Sequence, residues 1–390
     1  MLLTTVTALL LALFAAASPT APRAQPQTIS LQSRRIPAGE SNLRRALSPI
    51  GVPLKDYFNG TDLQWFGNIG VGTPPQNISV VFDTGSSTLE FASTRCGAAC
   101  SHQTKFDATK SSTFVDGGRS STITFGTGVG VDPVIGDNWQ LTLRSAKDTV
   151  SVGGVSVPNV SLFLITNQTP TFAADPFSGI QGMSSVASGL FAGLEAKGLP
   201  TLFSLLLTPE ADGGAELTLG GTDSSKFTGS LTFASLTDPS SGFWQLDSPG
   251  ITVNGKSNTA LKQTRTFIFD SGTSNIVLPQ DDTEAIYALI SPNIQPFADE
   301  PGTYGIPCSE VASLPAAIAI AFTAQSGAQF ALTIPSSELS VGPFRSEPSL
   351  CQTLINAADV GSIIGASLLK HYYSVWDLGN KRLGFAPNGL

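Results

Sequence analysis

Residues 80–87 read VVFDTGSS, and residues 267–274 repeat the pattern as FIFDSGTS. In each copy an apolar run leads into Asp, a hydroxyl residue and Gly, which predicts a buried strand that ends in a tight turn. An isolated ionised carboxylate in that position is unfavourable unless hydrogen-bond donors or a second titrating group stabilise it. The repeat therefore indicates that Asp83 and Asp270 are each other's partner.

Paired carboxyl groups have a defined chemistry. Two carboxyls within hydrogen-bonding distance lose their protons in separate steps, so the pair holds one proton between those steps. The ionised member then acts as a general base on a water molecule, and the protonated member polarises a substrate carbonyl and protonates the leaving amine. Gly85 and Gly272 place no side chain between the two loops. The pattern therefore predicts hydrolysis by two aspartates.

Composition limits the class of protein. With 390 residues, of which 41% are apolar, the chain can bury one large core and more comfortably two. The net charge of −8 argues against nucleic acid or an anionic membrane as a partner. The only histidines are His102 and His371, and no Cys/His cluster lies close in sequence. We therefore expect neither a metal nor another cofactor.

The N-terminus has the pattern of a secretory signal. An apolar run, Val6–Ala17, is too short to span a bilayer and is followed by small residues and prolines. We therefore interpret residues 1–17 as a signal peptide. Later residues contain no apolar run of ~18, and the sequence ends without a hydrophobic tail, so we expect no membrane anchor. The expected location is extracellular, with a vacuole as the alternative.

Residues 18–45 differ in composition from the rest of the chain. They are rich in Pro, Ser and Gln, and they hold five arginines against a single acid, Glu40. We interpret them as a propeptide that covers an acidic cleft and is released when the carboxylates protonate. An unstructured linker is the alternative. The remaining chain divides into an N-terminal lobe, residues 46–229, and a C-terminal lobe, residues 230–390.

From Trp65 onward the composition is that of a β-protein. Short Val/Ile/Thr/Phe runs alternate with turn residues, and 39 Gly with 26 Pro leave little room for long helices. Helical windows are limited to Leu202–Leu207, Thr283–Ile290 and Pro315–Phe322. Glycines within apolar segments follow the two aspartates at similar distances: Gly182 is 99 residues beyond Asp83, and Gly365 is 95 beyond Asp270. This spacing predicts an all-β fold of two duplicated lobes with the aspartates between them.

Taken in order, these motifs resemble those of pepsin-like aspartic proteases, and specifically of secreted fungal members. The likeness covers roughly residues 53–387 and implies a bilobal fold whose central cleft binds an extended peptide. It further implies an aspartic endopeptidase that is made as a zymogen, works at acidic pH as a monomer, and has its own propeptide and protein or peptide substrates as partners. The resemblance rests on FGNIGVGTPPQ (66–76), FDTGSS (82–87), GTG (126–128), FWQ (243–245), FDSGT (269–273) and YYSVWD (372–377).

The resemblance assigns roles to individual residues. Asp83 and Asp270 are the catalytic pair. Thr84 and Ser271 tie the two loops together, and Ser86 and Thr273 donate to the outer carboxylate oxygens. Ordinary turn residues are the alternative interpretation of these four hydroxyls. The expected substrate-binding residues are Gly85, Phe125, Gly126, Thr127 and Gly272.

The hairpin over residues 121–130 resembles the flap that closes over bound peptide. Phe125 stands where the family usually has a tyrosine, and Glu90 stands where it usually has a tryptophan. We expect Phe125 to hold the flap by packing, and Glu90 to face solvent or another partner. Thr127 replaces the acidic residue that accepts Lys in some fungal relatives. We therefore expect a preference for large apolar or aromatic residues on both sides of the cleaved bond.

Four cysteines in a secreted chain indicate two disulfides, and the sequence by itself allows three pairings. The resemblance implies Cys96–Cys100 and Cys308–Cys351. Four sequons mark candidate glycosylation sites. They are Asn59, Asn77, Asn159 and Asn167, of which Asn77 is the least favourable because it leads into a buried strand.

Two other functions compete with an endopeptidase. A catalytically inactive pepsin-like protein would act as a binding module or inhibitor. Such proteins typically lose an Asp or its Gly, whereas both units are complete here. A glycoside hydrolase would also use paired carboxylates, but four tryptophans and no duplicated sugar motif argue against it.

Overall fold

The computed structural model describes residues 48–56, 64–127, 134–209 and 212–389. Several predictions fall outside these described residues: the signal peptide over 1–17, the propeptide over 18–45, the Asn59 sequon and the 128–130 end of the flap hairpin. The two lobe ranges are likewise untested and stay predictions.

Strands make up most of the regular structure of the described residues, as the composition predicts. In chain order they are β1 (Ile50–Pro53), β2 (Lys55–Asp56), β3 (Trp65–Val71), β4 (Gln76–Asp83), β5 (Leu89–Ala92), β6 (Val115–Thr124), β7 (Gln140–Val152), β8 (Val155–Gln168), β9 (Gly179–Gly182), β10 (Leu202–Leu206), β11 (Glu216–Leu219), β12 (Thr232–Ser235), β13 (Gln245–Ser248), β14 (Ile251–Val253), β15 (Arg265–Phe269), β16 (Ile276–Leu278), β17 (Gln295–Pro296), β18 (Tyr304–Pro307), β19 (Ile318–Thr323), β20 (Gln329–Ile334), β21 (Ser340–Pro343), β22 (Leu350–Thr353), β23 (Ile355–Ala357), β24 (Ser362–Ile364), β25 (Tyr372–Asp377) and β26 (Arg382–Pro387).

Helices in the described residues are short. They are α1 (Gly189–Ala196), α2 (Gln280–Tyr287), α3 (Cys308–Val311) and α4 (Ala366–Leu369), with 3₁₀ turns at Thr94–Cys96, Ala108–Lys110, Pro170–Ala174, Ser224–Lys226 and Ser336–Glu338. The predicted helix over 283–290 overlaps α2. The helices predicted over 202–207 and 315–322 are wrong, because β10 and β19 are strands there. Short apolar runs fit a buried strand as well as a helix, and in β19 the buried residues alternate.

An eight-stranded sheet forms the N-terminal lobe, with the strand order β2-β3-β4-β9-β5-β8-β7-β6. Its centre contains three pairings: β4 is parallel to β9, β9 is antiparallel to β5, and β5 is parallel to β8. Both faces of this centre are covered, since Val80 and Val81 are buried although they point to opposite sides of β4. The first Asp-Thr-Gly motif therefore lies at the end of a strand held on both edges and both faces.

The C-terminal lobe repeats this centre in a five-stranded sheet, with the order β13-β15-β24-β16-β23. Here β15 is parallel to β24, β24 is antiparallel to β16, and β16 is parallel to β23. The three pairings match those of the N-terminal lobe in order and direction. Two smaller sheets, β14-β19-β20 and β17-β18-β22-β21, complete this lobe.

A six-stranded sheet joins the two lobes, with the order β1-β11-β10-β25-β26-β12. Aromatic side chains pack against it: Phe203 stacks on Trp376 with ring centroids 5.7 Å apart, and Trp244 meets Trp376 edge-on at 5.3 Å. The Trp244 indole N–H donates to Met183 O at 2.8 Å, immediately after β9. This buried layer fixes the two lobes to each other beneath the paired motifs.

Candidate active site

Each Asp lies where a central strand ends. Asp83 is the last residue of β4, in register with Gly182 on β9. Asp270 follows β15, and its backbone N–H donates to Ile364 O on β24 at 2.9 Å. A Cβ added to Gly182 would lie 2.6 Å from Ser87 N, and one added to Gly365 would lie 2.1 Å from Asn275 O. The two glycines are therefore needed because the turn after each Asp passes directly over them.

The hydroxyls of Thr84 and Ser271 connect the two loops. Thr84 Oγ1 donates to Phe269 O at 3.1 Å and accepts from Ser271 N at 2.9 Å. In the reciprocal pair, Ser271 Oγ donates to Phe82 O at 2.6 Å and accepts from Thr84 N at 3.1 Å. All four bonds cross between the lobes and are buried, so they hold the two Asp side chains at a set separation.

The two carboxyls face each other across this junction. Asp83 Oδ1 accepts from Gly85 N at 2.8 Å, and Asp270 Oδ1 accepts from Gly272 N at 2.8 Å. A Cβ on Gly85 would lie 2.4 Å from Asp270 Oδ2, and a Cβ on Gly272 would lie 2.3 Å from Asp83 Oδ1. Each carboxyl thus packs against the other motif's glycine, and any side chain there would separate the pair.

The electrostatics of the pair follow from burial and proximity. Both carboxyls are only 8% exposed. Burial, the charge of Asp270 and a hydrogen bond to Asp270 together hold the pKa of Asp83 well above its usual range. The two groups therefore titrate as one unit that retains a proton in acid.

The outer hydroxyls are not equivalent. Thr273 Oγ1 donates to Asp270 Oδ2 at 2.6 Å. The Ser86 hydroxyl lies near enough to Asp83 to lower its pKa slightly, but within the described residues it makes no hydrogen bond. Asp270 therefore has a hydroxyl donor for which Asp83 has no counterpart among the described residues.

A cavity of about 410 Å³ lies between the paired carboxyls and the β6–β7 hairpin. Its walls are mostly aromatic and aliphatic, with amide groups at Gln64, Gln103 and Gln168. Such an apolar space with a few polar groups is typical of a ligand site. The cavity is lined by Asp83, Asp270, Gly85, Gly272, Phe125, Gly126, Thr127, Ser86, Trp139, Leu141, Ile165, Phe172, Asp175, Phe177, Ile180, Phe243, Ile268, Val360 and Ile363, among others.

The described part of the hairpin packs against its own lobe and contacts the other lobe at Thr127. Phe125 meets Phe172 edge-on at 5.8 Å, and its backbone N–H donates to Trp139 O at 3.0 Å. Thr127 Oγ1 lies 2.9 Å from Thr273 Oγ1. Phe125 therefore packs into its own lobe, and Thr127 contacts the hydroxyl that also bonds Asp270.

The prediction for Glu90 is wrong. The side chain faces neither solvent nor a partner: it is 0% exposed, and neither carboxyl oxygen has a hydrogen-bond partner among the described residues. Burial raises its pKa to about 7 and outweighs the opposing effect of the Thr88 side chain. Glu90 is buried because β5 is a central strand, paired with β8 on one side and β9 on the other.

Both disulfides implied by the resemblance are present, Cys96–Cys100 and Cys308–Cys351. The sequon residues Asn77, Asn159 and Asn167 are all exposed. Asn77 is therefore not disfavoured by burial, because it points away from the core while the adjacent Ile78 points inward.

Several cavity residues were missed by the sequence analysis. Gln64 Nε2 donates to Gly272 O at 3.2 Å, which places its side chain beside the second motif. Trp139 and Phe172 form the wall behind the hairpin, with ring centroids 4.9 Å apart. No local motif marks these residues. In the sequence, Gln64 is distinguished only by its position immediately before β3.

The described residues contain neither a candidate metal-binding group nor a candidate membrane-spanning helix. No group of three His, Cys, Asp or Glu side chains among them is placed to hold a metal ion. None of the helices in that part of the chain has the length and apolarity needed to cross a membrane.

Comparison with known proteins agrees with this geometry. Residues 64–388 match the family model described as eukaryotic aspartyl protease. The chain is 35% identical to pepsin-2B of Gadus morhua over 345 residues, 84% of this chain and 97% of that protein. It is 34% identical to cathepsin D of Homo sapiens over 381 residues, 92% and 86% of the two chains. Cathepsin D of Dictyostelium discoideum is 33% identical over 376 residues, covering 90% of each. None of these three is fungal, so the narrower likeness to secreted fungal members is not confirmed.

Proposed function

The chain belongs to the eukaryotic aspartyl protease family and is an aspartic endopeptidase; within that activity, we propose that Asp83 and Asp270 are the catalytic pair. One observation carries the proposal. Two buried carboxyls from opposite lobes, each packed against the other motif's glycine, line an apolar cavity. The alternative function, a catalytically inactive binding or inhibitor protein, is not supported, because both Asp-Ser/Thr-Gly units are complete.

In the proposed mechanism the pair holds one proton. We assign this proton to Asp83, because burial and the neighbouring Asp270 hold the pKa of Asp83 well above its usual range. Asp270 then takes a proton from a water molecule between the carboxyls while that water attacks the peptide carbonyl. Asp83 donates its proton to the carbonyl oxygen as the tetrahedral intermediate forms. Collapse of the intermediate breaks the C–N bond, and the amine leaves with a proton from Asp270. A hydroxyl proton of the intermediate returns to Asp83 as the new carboxyl group forms, which restores the singly protonated pair.

The substrate class follows from the cavity walls. Phe125, Phe172 and Phe177 from the first half of the chain and Phe243 and Ile363 from the second half line the cavity that holds both carboxyls. These walls favour large apolar or aromatic residues on both sides of the cleaved bond. Thr127 offers no charge for a basic side chain. Profiling cleavage of a mixed peptide library tests this, and a dominant preference for Lys before the cleaved bond contradicts it.

The remaining proposals concern biosynthesis. Residues 1–17 direct secretion, residues 18–45 serve as an inhibitory propeptide, and the mature enzyme works as a monomer. The clustering of Arg23, Arg34, Arg35, Arg44 and Arg45 supports a propeptide that pairs with carboxylates at neutral pH and is released in acid. Glycans at Asn77, Asn159 and Asn167 are compatible with the exposure of these residues. Sedimentation of the mature protein tests the monomer.

The decisive experiment is acid treatment of the purified precursor. We expect the precursor to cleave itself near residue 45, which mass spectrometry would detect. We expect a pepstatin-type compound to inhibit this cleavage. Asp83→Asn abolishes both processing and peptide cleavage, because it removes the titrating partner at unchanged size. Asp247→Asn, a surface carboxyl bonded to Thr266, is the matched control and retains both activities. Processing by the Asp83→Asn protein would contradict the assigned pair.

A further inference from the structure

Glu90 lies on the sheet face that forms a wall of the substrate cavity. In the antiparallel β5–β9 pair it is directly opposite Ile180, and opposite residues share a face. In the parallel β5–β8 pair its partner is Phe163, two residues before Ile165 on the same face. Ile180 and Ile165 both line the cavity. The Glu90 side chain is therefore fully buried on the cavity face of the sheet, beside Ile180.

The duplicated lobes provide an internal reference for this position. In the C-terminal lobe the equivalent strand is β16, where Val277 is opposite Ile363. Ile363 lines the cavity just as Ile180 does. The fold therefore places an apolar side chain, Val277, beside Ile363 in the C-terminal lobe, and a carboxyl, Glu90, beside Ile180 in the N-terminal lobe.

Among the residues that the structure describes, no charged neighbour compensates the Glu90 carboxyl. Its register partners on β8 and β9 are Phe163 and Ile180. The cluster on the same side consists of apolar and aromatic residues around Ala92, Trp139 and Phe172. The titratable groups of the surrounding elements are Asp83 on β4, Arg144, Lys147 and Asp148 on β7, and Asp175 before β9, and none of them influences the pKa of Glu90.

We propose that Glu90 is a positioning residue that limits substrate binding to acidic conditions. As the neutral acid it completes the packed wall beside Ile180, and once ionised it moves toward the cavity and displaces Ile180. This proposal rests on the proposed function, because the wall matters only when an apolar side chain occupies the cavity.

The direction of the movement follows from solvation. An ionised carboxylate without a partner is strongly unfavourable in an apolar cluster. The cavity is the water-accessible space on the Glu90 face of the sheet, so the charged group gains hydration by turning toward it. With burial raising the pKa of Glu90 to about 7, the side chain stays neutral throughout the acidic range and ionises near neutrality.

The test compares the wild-type enzyme with Glu90→Gln, which has the same size and does not titrate. We would measure kcat/KM between pH 3 and pH 8 on a peptide with aromatic residues around the cleaved bond. The catalytic pair titrates in both proteins, so the ratio of variant to wild type isolates Glu90. We expect a constant ratio below pH 5 that rises roughly tenfold by pH 8, mainly through KM. Glu195→Gln on α1, remote from the cavity, gives the matched control with a flat ratio.

Unfolding in urea provides a readout that needs no activity. The folded state binds the Glu90 proton more tightly than the unfolded state does. The contribution of this carboxyl to the free energy of unfolding, measured relative to Glu90→Gln, is therefore complete below pH 4.5 and is lost as the pH rises through about 7. This corresponds to roughly a 300-fold change in the unfolding constant. Cleavage with a flat kcat/KM ratio overturns the role of Glu90 but leaves the proposed function intact. Absence of cleavage in both proteins contradicts the proposed function, and equal unfolding curves then overturn the Glu90 proposal as well.

Discussion

Replacing Thr84 by Val tests whether the hydroxyl exchange between the lobes holds the site together. Thr84 is fully buried, and its hydroxyl makes two bonds that cross the lobe junction. Valine has nearly the same shape, so the change removes the hydroxyl without opening a cavity. The substitution leaves Phe269 O and Ser271 N without their partner.

The magnitude follows from those two orphaned groups. A buried donor or acceptor that loses its partner costs about 1–3 kcal/mol. Two such groups give a predicted loss of about 2–6 kcal/mol in the free energy of unfolding. This is a large part of the roughly 5–15 kcal/mol that stabilises a typical domain. The same loss frees the two loops, so we expect kcat to fall by at least tenfold.

The assay is urea unfolding at pH 4.5, followed by tryptophan fluorescence, together with peptide cleavage at the same pH. Thr84→Ser retains the hydroxyl and should recover most of the activity. Ser86→Ala is the control within the same motif, because its buried hydroxyl makes no hydrogen bond among the described residues. A Thr84→Val protein that is within 1 kcal/mol of wild type, and no less stable than Ser86→Ala, would refute the reasoning.

Three further outcomes are expected. Asp270→Asn lowers the pKa of Asp83 from its raised value, because the charge and hydrogen bond of Asp270 are removed while burial remains; carboxyl NMR titration measures this, and an unchanged pKa contradicts it. Gly272→Ala abolishes cleavage while the protein stays folded, since the new Cβ lies 2.3 Å from Asp83 Oδ1; full activity would contradict the close approach. Replacing Cys308 and Cys351 by Ser destabilises the protein by about 4 kcal/mol, because the bond closes a loop with a sequence separation of 43; thermal unfolding checks this, and a loss below 1 kcal/mol would count against it.

The repeated Asp motif was the most informative part of the sequence. Its apolar run, turn residues and glycine all act within eight positions, so the strand, the turn and the approach of the two loops could be predicted locally. The spacing to Gly182 and Gly365 predicted the lobe duplication for a physical reason. Each glycine lies where the turn after an Asp crosses the neighbouring strand. Patterns that depend on such short-range geometry are readable from sequence.

Features that depend on the order of strands in the sheets could not be predicted from the sequence. The apolar run at 202–207 gives no period that separates helix from strand, and only its position between β11 and β25 makes it a strand. Glu90 was misjudged for the same reason. A charged residue next to two apolar ones suggests an exposed side chain, but a central strand buries both faces. The cavity residues Gln64, Trp139 and Phe172 come from three distant segments, which no local pattern connects.

The differences between the two lobes explain how a duplicated fold produces an unequal pair. The strand pairings around Asp83 and Asp270 are the same, so the backbone alone would give two equivalent carboxyls. The inequality comes from side chains: Thr273 donates to Asp270, whereas Ser86 leaves Asp83 without that bond. In the proposed mechanism this inequality separates the two roles, with Asp270 as the base and Asp83 as the proton donor, as general acid–base hydrolysis requires.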